Sequence, residues 1–160
     1  MSVLNRLDVE PVINAGGPNT KHSGSRPREV AMEAMQEASV SFYNIDEFLI
    51  EAGKAVADLI GAPAATITSG ASGGLVVQAA AAIARDDPDK ISALPNTEGM
   101  GSDLIIQKHH RFIYDHLYLT SGGRFKEVGD GVACTPDEVE AAIDENTAGI
   151  IHLESPYKSN

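Results

Sequence analysis

Apolar positions along the chain follow two spacings. Between Asn44 and Gly61, Phe48, Leu49, Ala52, Val56, Leu59 and Ile60 recur at helical intervals. Asn44, with Glu47 three residues on, supplies a capping-box start, and Gly61 supplies a stop. A helix opening near Pro27 carries Val30, Met32, Ala34, Met35 and Ala38 on one face. From Leu75 to Ala84 the chain is almost continuously small and apolar, as in a helix buried against a sheet, and Arg85 to Asp89 forms a polar stop. Thr135-Pro136-Asp137-Glu138 is a second capping box, predicting a helix through Ile143. Short apolar runs predict strands at Ala64–Thr68, Ile91–Leu94, Leu104–Ile106, Arg124–Val128 and Ala148–Leu153. Pro11–Ala15 reads as an extended segment, and Phe112–Leu119 as a short helix closed by Gly122-Gly123. Helices alternating with short strands predict an α/β fold, a mostly parallel sheet flanked by helices.

The stretch Thr66 to Gly74, Thr-Ile-Thr-Ser-Gly-Ala-Ser-Gly-Gly, joins a predicted strand to the alanine-rich helix. Small residues let a ligand approach the backbone, and the first turn of the helix offers unpaired amides at the positive end of its dipole. Ser69 and Ser72 add hydroxyl donors, so the turn reads as an anion site suited to a phosphate monoester. It is not a P-loop, because Gly73-Gly74 leads into Leu75 and not into Lys-Ser/Thr. The glycine spacing also differs from the dinucleotide fingerprint.

Composition narrows the classes. The 160 residues, 42% of them hydrophobic, suffice for a globular core, and the net charge of -11 argues against a nucleic-acid or anionic-membrane surface. Cys134 is the single cysteine, which rules out an intrachain disulfide and gives a zinc site no support. With no membrane-length apolar run and no signal-peptide pattern at the start, a cytoplasmic location is expected. His109 and His110 follow the Leu104 strand, and in open α/β sheets ligands bind beyond the carboxyl ends of strands. An imidazole there can stack on a flat ring, act as a base or cap the strand. His22, His116 and His152 read as structural or exposed.

Four motifs in order carry a family resemblance: Ile13-Asn14-Ala15-Gly16-Gly17, Ala62 through Gly74, the Gly99-Met100 loop, and Lys108-His109-His110 through Tyr114. Together they resemble the selenocysteine-synthase-like pyridoxal-phosphate enzymes of fold type I, and among them the D-glucosaminate-6-phosphate ammonia-lyase branch. The resemblance implies pyridoxal 5'-phosphate as cofactor, its phosphate held by Ser69, Gly70, Ala71 and Ser72, and His110 stacked on its ring. His109 is the alternative, because the family pattern usually shows glycine before the histidine. Glu154-Ser155-Pro156 resembles the start of a segment that leads toward the cofactor's phenolic oxygen. The resemblance implies that the cofactor-carrying lysine, the aspartate facing the pyridinium nitrogen and a small C-terminal domain lie downstream of Asn160. The chain is thus expected to be an amino-terminal part without a catalytic residue of its own and inactive alone, with residues 1–45 an amino-terminal segment and helix and 46–160 an incomplete large domain.

The implied activity is elimination of ammonia from an amino acid or amino sugar acid, on a small-molecule substrate, by an enzyme that is a homo-oligomer at full length. Two other readings stand beside it. Selenium transfer onto seryl-tRNA is disfavoured by the acidic charge, and a non-catalytic module holding a phosphorylated metabolite needs only the anion site.

Overall fold

A computed structural model describes residues 6–154 of the chain. The chain divides into two compact units, the first ending at Ala65 and the second beginning at Thr66. The first unit holds α1 (Glu29–Ala38) and α2 (Ile45–Ile60). Asn44 caps α2 by accepting from the amides of Asp46 and Glu47, and Gly61 ends it in the left-handed conformation. The predicted apolar stripe of α2 stays largely exposed at Phe48, Leu49, Leu59 and Ile60, while Gly53 and Ala57 are the residues the helix buries.

The second unit contains α3 (Ala71–Ala84), α4 (Pro88–Ala93), β1 (Asp103–Gln107), β2 (Arg124–Val128), α5 (Pro136–Ala142) and β3 (Thr147–Ile151). The strands form a parallel sheet in the order β2-β1-β3, so the α/β architecture expected from the sequence is present. The central strand is the most apolar: Leu104, Ile105 and Ile106 are all buried, as a strand covered on both faces requires. Leu104 and Ile106 join Ala79 of α3 and Ile151 of β3 in the core, with Tyr118, Phe125 and Ala148 packed against them. Ile105 faces the other way, and α5 packs along β1 and β2 with Ala142 buried. Burying each isoleucine contributes about 1.5–3 kcal/mol.

Two predicted strands are absent from the sheet. Ile91–Leu94 belongs mostly to α4, because Asp87 accepts from the amides of Asp89 and Lys90 and Pro88 sits at the first helical position, a start signal that outweighs a four-residue apolar run. Ala64–Thr68 forms no strand. In addition, α3 begins at Ala71 and takes Gly73 and Gly74 into its first turn. The capping box at Thr135 is formed in both directions, and β2 spans the predicted residues. A 3-10 segment, Asp115–Ser121, leads to Gly122, whose φ of 91° is left-handed.

A side chain at Gly122 would meet both this φ and the Pro95 carbonyl, and Thr97 Oγ1 donates to the Gly122 carbonyl at 3.1 Å, so the turn cannot shift aside. Gly99 has a φ of 75° but open space around it. Gly122→Ala should therefore cost more than about 2 kcal/mol, and Gly99→Ala about 1 kcal/mol. Urea-denaturation midpoints of the two variants check this order.

Candidate functional site

Helix α3 opens without a side-chain cap, unlike α2, α4 and α5 with Asn44, Asp87 and Thr135. Its N-cap is Gly70, at a φ of 139°, a conformation that glycine alone adopts without strain. The first helical bond runs from the Gly74 amide to the Gly70 carbonyl at 3.0 Å. The amides of Ala71, Ser72 and Gly73 ahead of it have no intrahelical acceptor. Thr68 Oγ1 donates to the Gly70 carbonyl at 3.0 Å, which fixes the approach to the helix. A Cβ at Gly73 would lie 2.9 Å from Ser69 Oγ, so the glycine is what lets that hydroxyl fold over the first turn. Ser69, Gly70, Ala71 and Ser72 are all exposed, and the first turn carries no acidic residue. This donor set fits a phosphate.

The cradle and the histidines lie at the same end of the sheet. Gly149, midway along β3, meets Ala82 Cβ at 3.7 Å, whereas Ile151, at its end, clusters with Ala79, so α3 runs antiparallel to the strands. From Ala82 back to Ser72 is a rise of about 15 Å, and a strand travels about 15 Å in the four or five residues after Gly149. The start of α3 therefore lies past the carboxyl end of β3, which stops at Ile151. Past β1, at that same end, the 3-10 turn Lys108–His110 carries the adjacent imidazoles.

Their environments differ. His110 is fully buried, with its ring 4.2 Å from that of His109 and 4.6 Å, edge to face, from that of His152. Its Nδ1 accepts from the Leu153 amide at 3.4 Å. His109 is half-buried, and both of its ring nitrogens are shielded from solvent with no hydrogen-bond partner among the described residues. The ring of His110, which the resemblance sets against the cofactor, contacts the rings of both His109 and His152. His152, read from the sequence as structural or exposed, packs on His110 and places Nε2 3.5 Å from Glu154 Oε2. Ser155 and Pro156 lie outside the described residues, as does Lys158.

Sequence reasoning missed an ion network that secures this turn. Arg111 donates through Nε to Asp115 Oδ2 at 2.5 Å, pairs with Glu127 of β2, and lies over the Phe125 ring at 4.4 Å. Burial pushes the Asp115 carboxyl up, but the hydrogen bonds from Arg111 and the Phe112 amide, with the Arg111 charge, outweigh it and hold the group below the usual carboxylate range. The i, i+4 spacing of Arg111 and Asp115 was the available signal. No described lysine is buried: Lys54 pairs with Glu51 at 2.6 Å, Lys126 with Asp144 at 2.7 Å, and Lys108 is exposed. Among the described residues no three His, Cys, Asp or Glu are grouped to hold a metal, and no helix is long and apolar enough to cross a membrane.

No family model matches the chain. It is 30% identical to a D-glucosaminate-6-phosphate ammonia lyase of Salmonella typhimurium (strain 14028s / SGSC 2262), over 98% of this chain and 43% of that protein. It is 25% identical to a 5'-C-glycyluridine monooxygenase-decarboxylase of a Streptomyces species, over 93% of this chain and 39% of that protein. A solved structure of D-glucosaminate-6-phosphate ammonia-lyase superposes with a TM-score of 0.92 at 29% identity, covering 100% of this chain and 44% of the other. The chain thus spans less than half the length of the relatives it matches.

Because the folded carboxyl of Asp115 is depressed, its contribution to stability is present above its unfolded value of about 3.9 and is lost as pH falls through the folded value. Asp115→Asn should lower stability at pH 7 by about 1.5–3 kcal/mol and flatten the fall in stability on acidification. Urea midpoints measured from pH 7 to pH 3 check both effects.

Proposed function

We propose that this chain carries the phosphate-binding part of a pyridoxal-phosphate-dependent lyase that releases ammonia from an amino acid or amino sugar acid. The observation that carries the reading is the uncapped start of α3, with exposed Ser69–Ser72 at the sheet end that also bears the imidazoles. The ordered motifs that resemble the selenocysteine-synthase-like enzymes support the cofactor, and likeness to an ammonia lyase over the whole chain supports the reaction class.

In this reading the amides of Ala71, Ser72 and Gly73 and the hydroxyls of Ser69 and Ser72 hold the cofactor phosphate. The dipole of α3 adds favourable potential to the dianion. In the turn Lys108–His110 that follows β1, His110, or His109 in its stead, stands against the flat ring. The cofactor, when bound, supplies an electron sink for charge developing on the substrate carbon. The substrate is a small molecule; twelve basic against twenty-three acidic residues leave little for tRNA to bind, which sets selenium transfer second. The whole enzyme is expected to be a homo-oligomer.

Pyridoxal phosphate binding, followed by equilibrium dialysis with inorganic phosphate as competitor, tests the reading. Ser72→Ala should weaken binding about tenfold, for loss of one hydrogen bond to a charged group, and Gly73→Val, which crowds Ser69 Oγ, should weaken it more. Unchanged affinity in both variants would reduce the turn to a structural connection. In a second measurement, borohydride reduction with peptide mapping should label several surface lysines weakly. One stoichiometric adduct, at Lys108 above all, would overturn the assignment of the cofactor-carrying lysine to a part of the enzyme outside this chain.

A further inference from the structure

We infer that the exposed apolar faces of α1 and α2 are where a second copy of this chain docks, antiparallel about a two-fold axis, to form a homodimer. The inference builds on the homo-oligomer expected of the whole enzyme and names its surface, without depending on the cofactor. Its starting point is a unit that lacks a core. Among the described residues, Ala57 is the only buried hydrophobic side chain of the first unit, and α1 buries none of its residues.

The two helices nevertheless have the sequences of packed ones. At helical spacing, Val30, Met32, Ala34, Met35 and Ala38 fill one arc of α1, while Glu29, Glu33, Gln36 and Glu37 fill the other. A helix of ten residues is marginal by itself in water, so α1 needs a surface to lie on. It does not find one on α2, because the two do not pack along one another. A dozen large apolar residues from Val30 to Ile60 are exposed, Phe42 completely. Such side chains carry about 150–250 Å² each when aromatic and less when aliphatic, so together they present on the order of 1,000 Å². The largest apolar patch of an ordinary monomer is about 300–600 Å², and each partner gives about 800 Å² to a stable interface. The first unit therefore exposes what one side of a stable interface requires.

Charge selects a second copy as the occupant. In a chain of net charge -11, residues 11–28 contain no Asp or Glu and carry Lys21, Arg26 and Arg28. None of these three forms an ion pair among the described residues. From Glu29 to Ile60 there are seven acidic residues against Lys54, which is already paired with Glu51. One copy thus presents a basic strip ahead of α1 and an acidic strip along the helices. Two copies lying in the same direction would set like charge against like. In the antiparallel arrangement the start of each α1 lies beside the end of the other's, so Arg26 and Arg28 meet the strip of Glu33 and Glu37 and the negative end of a helix dipole, twice over. The same arrangement lays the apolar arcs of the two copies against each other.

Sedimentation velocity on the full chain tests this, and should show a monomer–dimer equilibrium. Met35→Glu and Leu59→Glu each place a carboxylate on an exposed apolar face and should weaken association at least tenfold. Ile113→Glu, at an exposed isoleucine of the second unit, should leave it unchanged. A mixing experiment is decisive. Arg26→Glu/Arg28→Glu and Glu33→Arg/Glu37→Arg should each be monomeric alone, because both strips then carry one sign, and the two mixed should form a heterodimer within about threefold of the wild-type affinity. A monomeric wild type would assign the face to another part of a longer protein or to a different partner, and would overturn the inference. Equal dissociation by Ile113→Glu, or charge variants that do not associate on mixing, would overturn it as well. Should Met35→Glu or Leu59→Glu lose helicity, the charge variants, all at exposed positions, decide alone. Cofactor binding is read separately by dialysis, so a dimer that binds no pyridoxal phosphate would overturn the proposed function and not this interface.

Discussion

The second unit depends on the burial of β1. A strand whose two edges are both paired and whose two faces are both covered has no polar backbone group left for water, so its side chains can be apolar throughout. Leu104, Ile105 and Ile106 meet that condition. Pairing with β2 and β3 satisfies the amides and carbonyls, Ala79 of α3 packs on the face that Leu104 and Ile106 share with Ile151, and α5 lies along the strands with its Ala142 buried. Small residues on α3 and at Gly149 set the depth at which the helix settles on the sheet.

Parallel strands bring their carboxyl ends to one edge, and a helix antiparallel to them brings its amino end to the same place. The uncapped start of α3 and the three imidazoles come to the same end of the sheet for this reason, although they are distant in sequence. The positive end of α3 and the histidine cluster are then held by different means. The cradle is a backbone feature, set by Gly70 and Gly73, and the imidazole row depends on a turn clamped by Leu153 on one side and Arg111 on the other.

Much of this was legible in the sequence where a local signal and a tertiary need coincide. The caps at Asn44 and Thr135 announced α2 and α5, and the runs at Leu104, Arg124 and Ala148 announced the three strands. Local patterns failed where pairing decides. Ala64–Thr68 has the residues of a strand but joins no ladder, and Ile91–Leu94 is too short for periodicity to tell helix from strand, so Asp87 and Pro88 settle it. Gly73-Gly74 reads as a turn, yet both residues fit a helix whose surroundings favour one. The exposed helix start after Ser69 was visible because it is announced by small residues alone. The different burial of His109 and His110 was not, because nothing in their order reveals that a 3-10 turn separates their directions.

The central strand also has a place in time. Chains leave the ribosome from the amino end, so β1 is made before either of the strands that flank it, and β3 comes last. Until then, the most apolar segment of the sheet has at least one open edge, the condition under which strands pair with the wrong partner. The polar stretch between β2 and β3, with Asp137, Glu138, Glu140, Asp144 and Glu145 close behind the nascent sheet, keeps like charges near that edge during the interval.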